Sequence, residues 1–270
     1  MISEPWKGYL EPFRIFGNLY FVGTVPASSH LIDTGEGLIL LDSGYQESLY
    51  LVLESIRKLG FDPKNIKYVL HTHGHIDHCG AARALKELYG CKLFMGERDK
   101  EYANGTLDLS YAAELGMTYI PFEPDVLIKD GDVITLGNTS VRAVATPGHT
   151  PGAMSYFFDV TDGKQTYRAG LHGGMGINTL SAEFLTKYNL PFSLREDFCN
   201  SMLRLNQQKV HIFLGNHMQH NNTEEKAKAL LSGDNHAFVN PDEWNSYNLW
   251  CIENINNMIK KEQNENESEF

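Results

Sequence analysis

Tyr68-Val-Leu-His71-Thr72-His73-Gly74-His75-Ile76-Asp77-His78-Cys79-Gly80 is the stretch on which the fold turns. It places four potential metal ligands, His73, His75, Asp77 and His78, immediately after the apolar run 66–70, which reads as a strand. Gly74 permits a tight turn, and Gly80 marks the start of a helix over 80–89. On such a loop, residues i and i+2 can converge on one metal while i+4 and i+5 turn toward a second. Neutral imidazole and carboxylate are suitable zinc ligands. A solvated turn explains a lone histidine well, but it explains a His-x-His-x-Asp-His run after a strand poorly. A catalytic zinc takes about three protein ligands, so the motif needs partners from elsewhere in the chain.

Working outward, the runs 19–23, 29–33 and 37–42 are short, apolar and punctuated by Gly and Asp-Thr-Gly turn signals, a meander of strands. Apolar residues at 49, 52, 53, 56 and 59, with Gly60 as terminator, predict a helix. Further strands are expected at 91–95, 133–136, 141–145, 153–158, 165–169 and 210–214. The stretch 98–124 is poorly periodic, and 171–191 reads as a long loop. Ser193-Leu-Arg-Glu196 has the pattern of a capping box opening a helix to about 207. Asn240-Pro241-Asp-Glu243 supplies an N-cap, an N1 proline and an N3 glutamate for a last helix to about 261. Strands and helices alternate, but the early hairpin signals argue against a simple parallel βαβ fold. The expectation is one α/β domain over 1–261 with layered, mixed sheets, and a disordered Glu/Asn-rich tail over 262–270.

Composition narrows the function. The chain has 270 residues, 42% hydrophobic and 21% charged, which excludes collagen-like, coiled-coil and wholly disordered classes. No run approaches the ~18 apolar residues needed to span a bilayer. The N-terminal residues lack a basic-then-apolar signal layout, so a cytoplasmic location is expected. A net charge of −11 disfavours nucleic acid or an anionic membrane as partner and leaves a small molecule. Cysteines 79, 91, 199 and 251 are irregularly spaced and read as reduced thiols. Oligomeric state is left open. Of 11 histidines, four fall within 71–78.

The motif resembles the signature of the metallo-β-lactamase superfamily, and the similarity covers roughly residues 6–255. Asp42, in Leu40-Leu-Asp42-Ser-Gly44, matches the family's early aspartate, which supports the metal loop by hydrogen bonding and is not a ligand. His149, in Thr146-Pro-Gly-His149-Thr-Pro-Gly152, and His217, in Ile212-Phe-Leu-Gly-Asn-His217, match the remaining histidines. The resemblance thus implies two zinc ions, one on His73, His75 and His149, the other on Asp77, His78 and His217. His220 is the rival for the last position; His217 is preferred because it directly follows the strand. The implied fold is a four-layer αβ/βα sandwich with mixed sheets and helices on the outer faces.

The resemblance also selects a subgroup. Many superfamily hydrolases, lactonases and glyoxalase II among them, carry a bridging aspartate where this chain reads Gln165-Thr-Tyr-Arg168-Ala-Gly170-Leu-His172. There is no carboxylate there, and no cysteine either. That pattern is similar to the class B lactamase subclass with an Asp/His/His second site (B3-like), as are Trp6 and 12–24. Two departures touch the substrate: Gly170 and Leu171 stand where the subclass commonly has serine, and no export signal is seen. The implied activity is hydrolysis of a cyclic amide, most of all a β-lactam, by attack of a metal-bound hydroxide oriented by Asp77. A lactonase or thioesterase-type hydrolase on the same fold is the alternative. A di-iron redox protein of this fold is disfavoured by His75, where those proteins have glutamate, and by the lack of a flavin domain. His172 could touch substrate or be a solvated loop histidine, and His30 could line the rim or sit in a turn. His71 reads as packing or as support behind the ligand loop, Cys79 as a packing group, and the aromatics of 111–122 as packing or rim groups.

Overall fold

The computed structural model describes residues 4–268. The ends of the expected domain and tail, residues 1–3 and 269–270, lie outside the described residues. The first sheet begins as an antiparallel meander of β1 (Phe13–Phe16), β2 (Leu19–Phe21), β3 (His30–Asp33) and β4 (Leu38–Leu41). After helix α1 (Leu49–Lys58) the chain adds β5 (Ile66–Leu70) in parallel. The short α2 (Ile76–Cys79) and α3 (Ala82–Tyr89) lead to β6 (Lys92–Gly96), also parallel. Two further short helices, α4 (Lys100–Ala103) and α5 (Ala112–Leu115), precede β7 (Val126–Ile128), which completes a seven-stranded sheet in sequence order.

The second sheet has five strands in the order β12-β11-β10-β9-β8. They are β8 (Val133–Leu136), β9 (Thr139–Ala145), β10 (Met154–Thr161), β11 (Thr166–Leu171) and β12 (Ile212–Leu214). Between β11 and β12 lie α6 (Ala182–Lys187) and α7 (Leu194–Leu205); α8 (Thr223–Leu231) and α9 (Glu243–Ser268) follow. No described helix is long and apolar enough to cross a membrane.

Strand periodicity explains the layers. Along β4, Ile39 and Leu41 face the second sheet, joining Val141, Tyr156, Phe158 and Leu214, while Leu38 and Leu40 face α1 and α3 through Val52, Ile56 and Leu85. All four are buried, as expected of a strand covered on both faces. Phe157 and Phe213 repeat the arrangement on the far side, where Phe198, Met202, Trp244 and Ile255 of α7 and α9 cover the second sheet. The result is the expected four-layer αβ/βα sandwich, with mixed sheets inside and helices outside.

Five elements had no sequence signal: β1, β7, α2, α6 and α8; α6 forms inside 171–191, which was expected to be a loop, and α2 inside the histidine-rich turn. The two strands are edge strands of only four and three residues, too short to show a period. The capping box at Ser193 does not form; its backbone is already helical (φ −59°, ψ −19°), and the Pro191 and Phe192 carbonyls take the first amides. The last helix passes Lys261 and runs to Ser268, so the expected disordered tail is not seen at its start. Glu262 accepts from Ala182 N at 2.8 Å and from Arg195 at 2.6 Å, which pins α9 to the α6–α7 region.

Candidate metal centre

Asp42 directly follows β4 with φ +57°, a left-handed conformation that a non-glycine residue keeps only when held. Its buried carboxylate provides the hold. Oδ1 accepts from Thr72 N at 2.7 Å; Oδ2 accepts from Thr72 Oγ1 at 2.8 Å and from His78 Nδ1 at 2.9 Å. The Thr72 hydroxyl has only one proton and gives it to Asp42, so its oxygen accepts from His73 Nδ1 at 3.1 Å. That leaves His73 Nε2 buried with no partner. Such an orphaned lone pair calls for an electrophile.

The rings of His78, His149 and His217 are fixed by the same device, a hydrogen bond at Nδ1 that leaves Nε2 for the cavity. His149, on the loop joining β9 to β10, donates to Gly176 O at 2.7 Å, and Thr179 Oγ1 holds its carbonyl at 2.8 Å. His217, just past β12, donates to Pro26 O at 2.8 Å. The ligand atoms of His73, His75 and His149 fall within 4.8 Å of one another, and so do those of His73, Asp77 and His78. His217 Nε2 lies 3.4 Å from Asp77 Oδ2, the oxygen that also faces His78 Nε2 at 3.1 Å. His217 therefore joins the second group through Asp77, while His73 is shared by both tight groups. The rival His220 hydrogen-bonds through Nδ1 to the His217 backbone amide at 3.4 Å.

Burial holds His73 and His75 well below the ordinary imidazole pKa, reinforced by neighbouring histidines, and lowers His149 to about 4. Neutral rings are the form that binds a metal. Burial also opposes charge on His78, but the Asp77 and Asp42 carboxylates outweigh it and raise its pKa to about 10. Although burial favours a neutral Asp77, His78 and His217 hold its carboxyl well below the usual range. The carboxylates that draw a proton here would equally draw a divalent cation. Donor types, orphaned nitrogen and charge all fit a divalent metal site.

These groups form the floor of a cavity of ≈280 Å³ whose rim includes Tyr45, Tyr111, Met175, Asn178 and Gln219. Among the described residues, Asp77 is its one carboxylate. Tyr111 comes from the unperiodic stretch 98–124; its ring centre lies 5.5 Å from that of His75. His172 is elsewhere. It is fully buried, outside the cavity wall, with Nε2 3.2 Å from Asn248 Oδ1, so substrate contact is not its role. His71 donates from Nδ1 to Phe94 O and packs on Phe122. Cys79 is buried against the Tyr119 hydroxyl, and burial pushes its thiol up.

His30 is a core residue of β3 and not part of the rim. Burial lowers its pKa to about 4, partly offset by Asp42, and burial lowers His172 to about 3. Both stay neutral in the fold and take protons first in the unfolded chain, near pH 6.5. Their stabilisation is therefore complete above pH 6.5 and is lost as pH falls toward 4, on the order of 3 kcal/mol for His30. Urea unfolding of chelator-treated protein should show a steep fall in stability between pH 7 and 5. A flat profile would contradict this.

The metallo-beta-lactamase superfamily model matches residues 22–163, more than half of the chain. Among solved structures, BJP-1, a subclass B3 metallo-beta-lactamase of Bradyrhizobium japonicum, superposes with a TM-score of 0.87 at 28% identity, covering 97% of this chain and 98% of that one. Curated relatives match over shorter segments. An uncharacterized protein of Aquifex aeolicus is 34% identical over 119 residues, 44% of this chain, and the chain spans about half (52%) of that protein's length. A hydroxyacylglutathione hydrolase of Bradyrhizobium sp. is 33% identical over 104 residues, 38% of this chain and 34% of its own length.

Proposed function

From the premise that this chain belongs to the metallo-β-lactamase superfamily, and is a metal-dependent hydrolase of the kind its subclass B3 neighbours represent, we propose that it opens cyclic amides, β-lactams first among them. The observation that carries this reading is the convergence of His73, His75 and His149 beside Asp77, His78 and His217 on one cavity floor. We assign the first three to one zinc and the last three to a second. Zinc bound there would supply Lewis acidity toward a carbonyl and bring the pKa of water to about 7. Asp77 would hold the second ion and orient the attacking water, and Asp42, through Thr72 and His78, would keep the rings in their binding tautomer. The aromatic rim and the Asn178 and Gln219 amides would seat an uncharged portion of the substrate.

A lactonase or thioesterase is the second reading, favoured by the likeness to hydroxyacylglutathione hydrolase. Against it, β11 brings no carboxylate to the cavity: Leu171 is buried between the sheets and Gly170 lies against Val210. The two positions where the B3-like subgroup commonly has serine therefore offer the substrate nothing. Zinc-loaded protein should hydrolyse nitrocefin faster than a panel of lactones and thioesters. Lactone or thioester turnover without nitrocefin turnover would reverse the order.

A further inference from the structure

His73 and His75 sit on a loop of the first sheet, and His149 on a loop of the second, so the first metal position exists only if something sets the two loops at the right spacing. Asp99 is where they meet. It lies in the turn after β6 and is fully buried. Its Oδ2 accepts from Gly74 N at 2.9 Å, the amide between His73 and His75, and from Thr150 Oγ1 at 2.6 Å, beside His149. Its Oδ1 accepts from Gly152 N at 2.6 Å. Both glycines are there because this segment comes so close. A Cβ on Gly152 would lie 2.3 Å from Asp99 N, and one on Gly74 would lie 2.6 Å from Tyr102 Cβ. Two other bonds cross between the sheets nearby, Met154 N to Thr72 O at 2.8 Å and Tyr156 Oη to His71 O at 2.7 Å. Neither involves 73–75 or 149–152, so they dock the sheets without fixing the ligands.

We propose that Asp99 is a positioning residue that clamps the two ligand loops with one carboxylate and thereby sets the geometry of the first metal position. The proposal rests on the assignment of His73, His75 and His149 as ligands. A carboxylate serves three donors because both of its oxygens accept. An amide has one acceptor oxygen, so Asp99→Asn can hold the Gly74 and Thr150 side or the Gly152 side, not both. The sheets remain docked while the tie that sets one ligand loop against the other is lost.

The test uses the full chain loaded with zinc, with stepwise zinc affinities from chelator competition, Co(II)-substituted absorption spectra and thermal unfolding after chelation. Asp99→Asn should weaken the first zinc by about 10–100-fold, the range typical of outer-shell partners, and change the Co(II) ligand-field bands. The second zinc should stay within a few-fold of wild type. Thr150→Val, which deletes one of the three bonds, should show a smaller loss in the same direction, and it carries the test alone if Asp99→Asn does not fold. Wild-type affinity for both zinc ions in folded variants would overturn the proposal. So would an equal loss at both positions that tracks a lower melting temperature, since that marks a general structural role. If the wild-type chain itself binds no zinc, the ligand assignment fails first and takes the clamp with it.

Discussion

His149→Ala should leave no more than one tightly bound zinc per chain and lower kcat/KM by about a thousandfold. A catalytic zinc needs about three protein ligands, and His149 is the only one of its group contributed by the second sheet. His73 and His75 alone would leave a two-ligand site that cannot hold the metal against solvent. A thousandfold is about 4 kcal/mol, within the several kcal/mol a metal contributes to charge stabilisation in the transition state. Metal analysis and steady-state kinetics on the best substrate provide the check. Two zinc ions and wild-type kcat/KM in the variant would remove His149 from the ligand set.

Asp42→Ala should be the most destabilising single change near the site, by about 4 kcal/mol, and the loss should persist without metal. Three buried donors, Thr72 N, Thr72 Oγ1 and His78 Nδ1, lose their acceptor at once. Each buried donor left unpaired costs about 1–3 kcal/mol, and breaking a buried ion pair by removing one partner costs about 3–5 kcal/mol. The new alanine would also have to keep φ +57°, which lacks the side-chain anchoring that holds Asp42 there. Melting of chelator-treated protein should shift down by about 10 °C. A shift under about 2 °C would show that the loop is held by other means.

The proposed ligand motif stood out in the sequence because its residues are local: His73, His75, Asp77 and His78 lie within six residues of one another, on a loop whose glycine and flanking strand are visible in the sequence. His149 and His217 were reached only through family resemblance, since nothing local marks a lone histidine after Thr-Pro-Gly or Leu-Gly-Asn. The layers could be anticipated from apolar runs buried on both faces, as in β4. Short edge strands such as β7 could not, because three residues carry no period. Asp99 escaped notice for another reason. Its role depends on donors 25 and 53 positions away, and a buried carboxylate looks like any surface aspartate until the loops it serves are in place. His172 shows the converse, a residue suspected for its neighbours in sequence and buried by its neighbours in space.

The anchors of this cavity are distant along the chain: His217 to Pro26 spans 191 positions, Asn216 to Thr72 spans 144, and Tyr156 to His71 spans 85. Joining such remote points must be done against chain entropy before any contact repays it, which makes these closures slow steps of folding. A nascent chain therefore cannot assemble the full ligand set until β12 has been synthesised and docked. Metal that binds only the finished cavity then acts as a latch on the whole molecule. At a free concentration a hundred times its dissociation constant, it adds about 2.7 kcal/mol against unfolding. Metal supply in the surrounding medium would thus set how long the protein survives, as well as how fast it works.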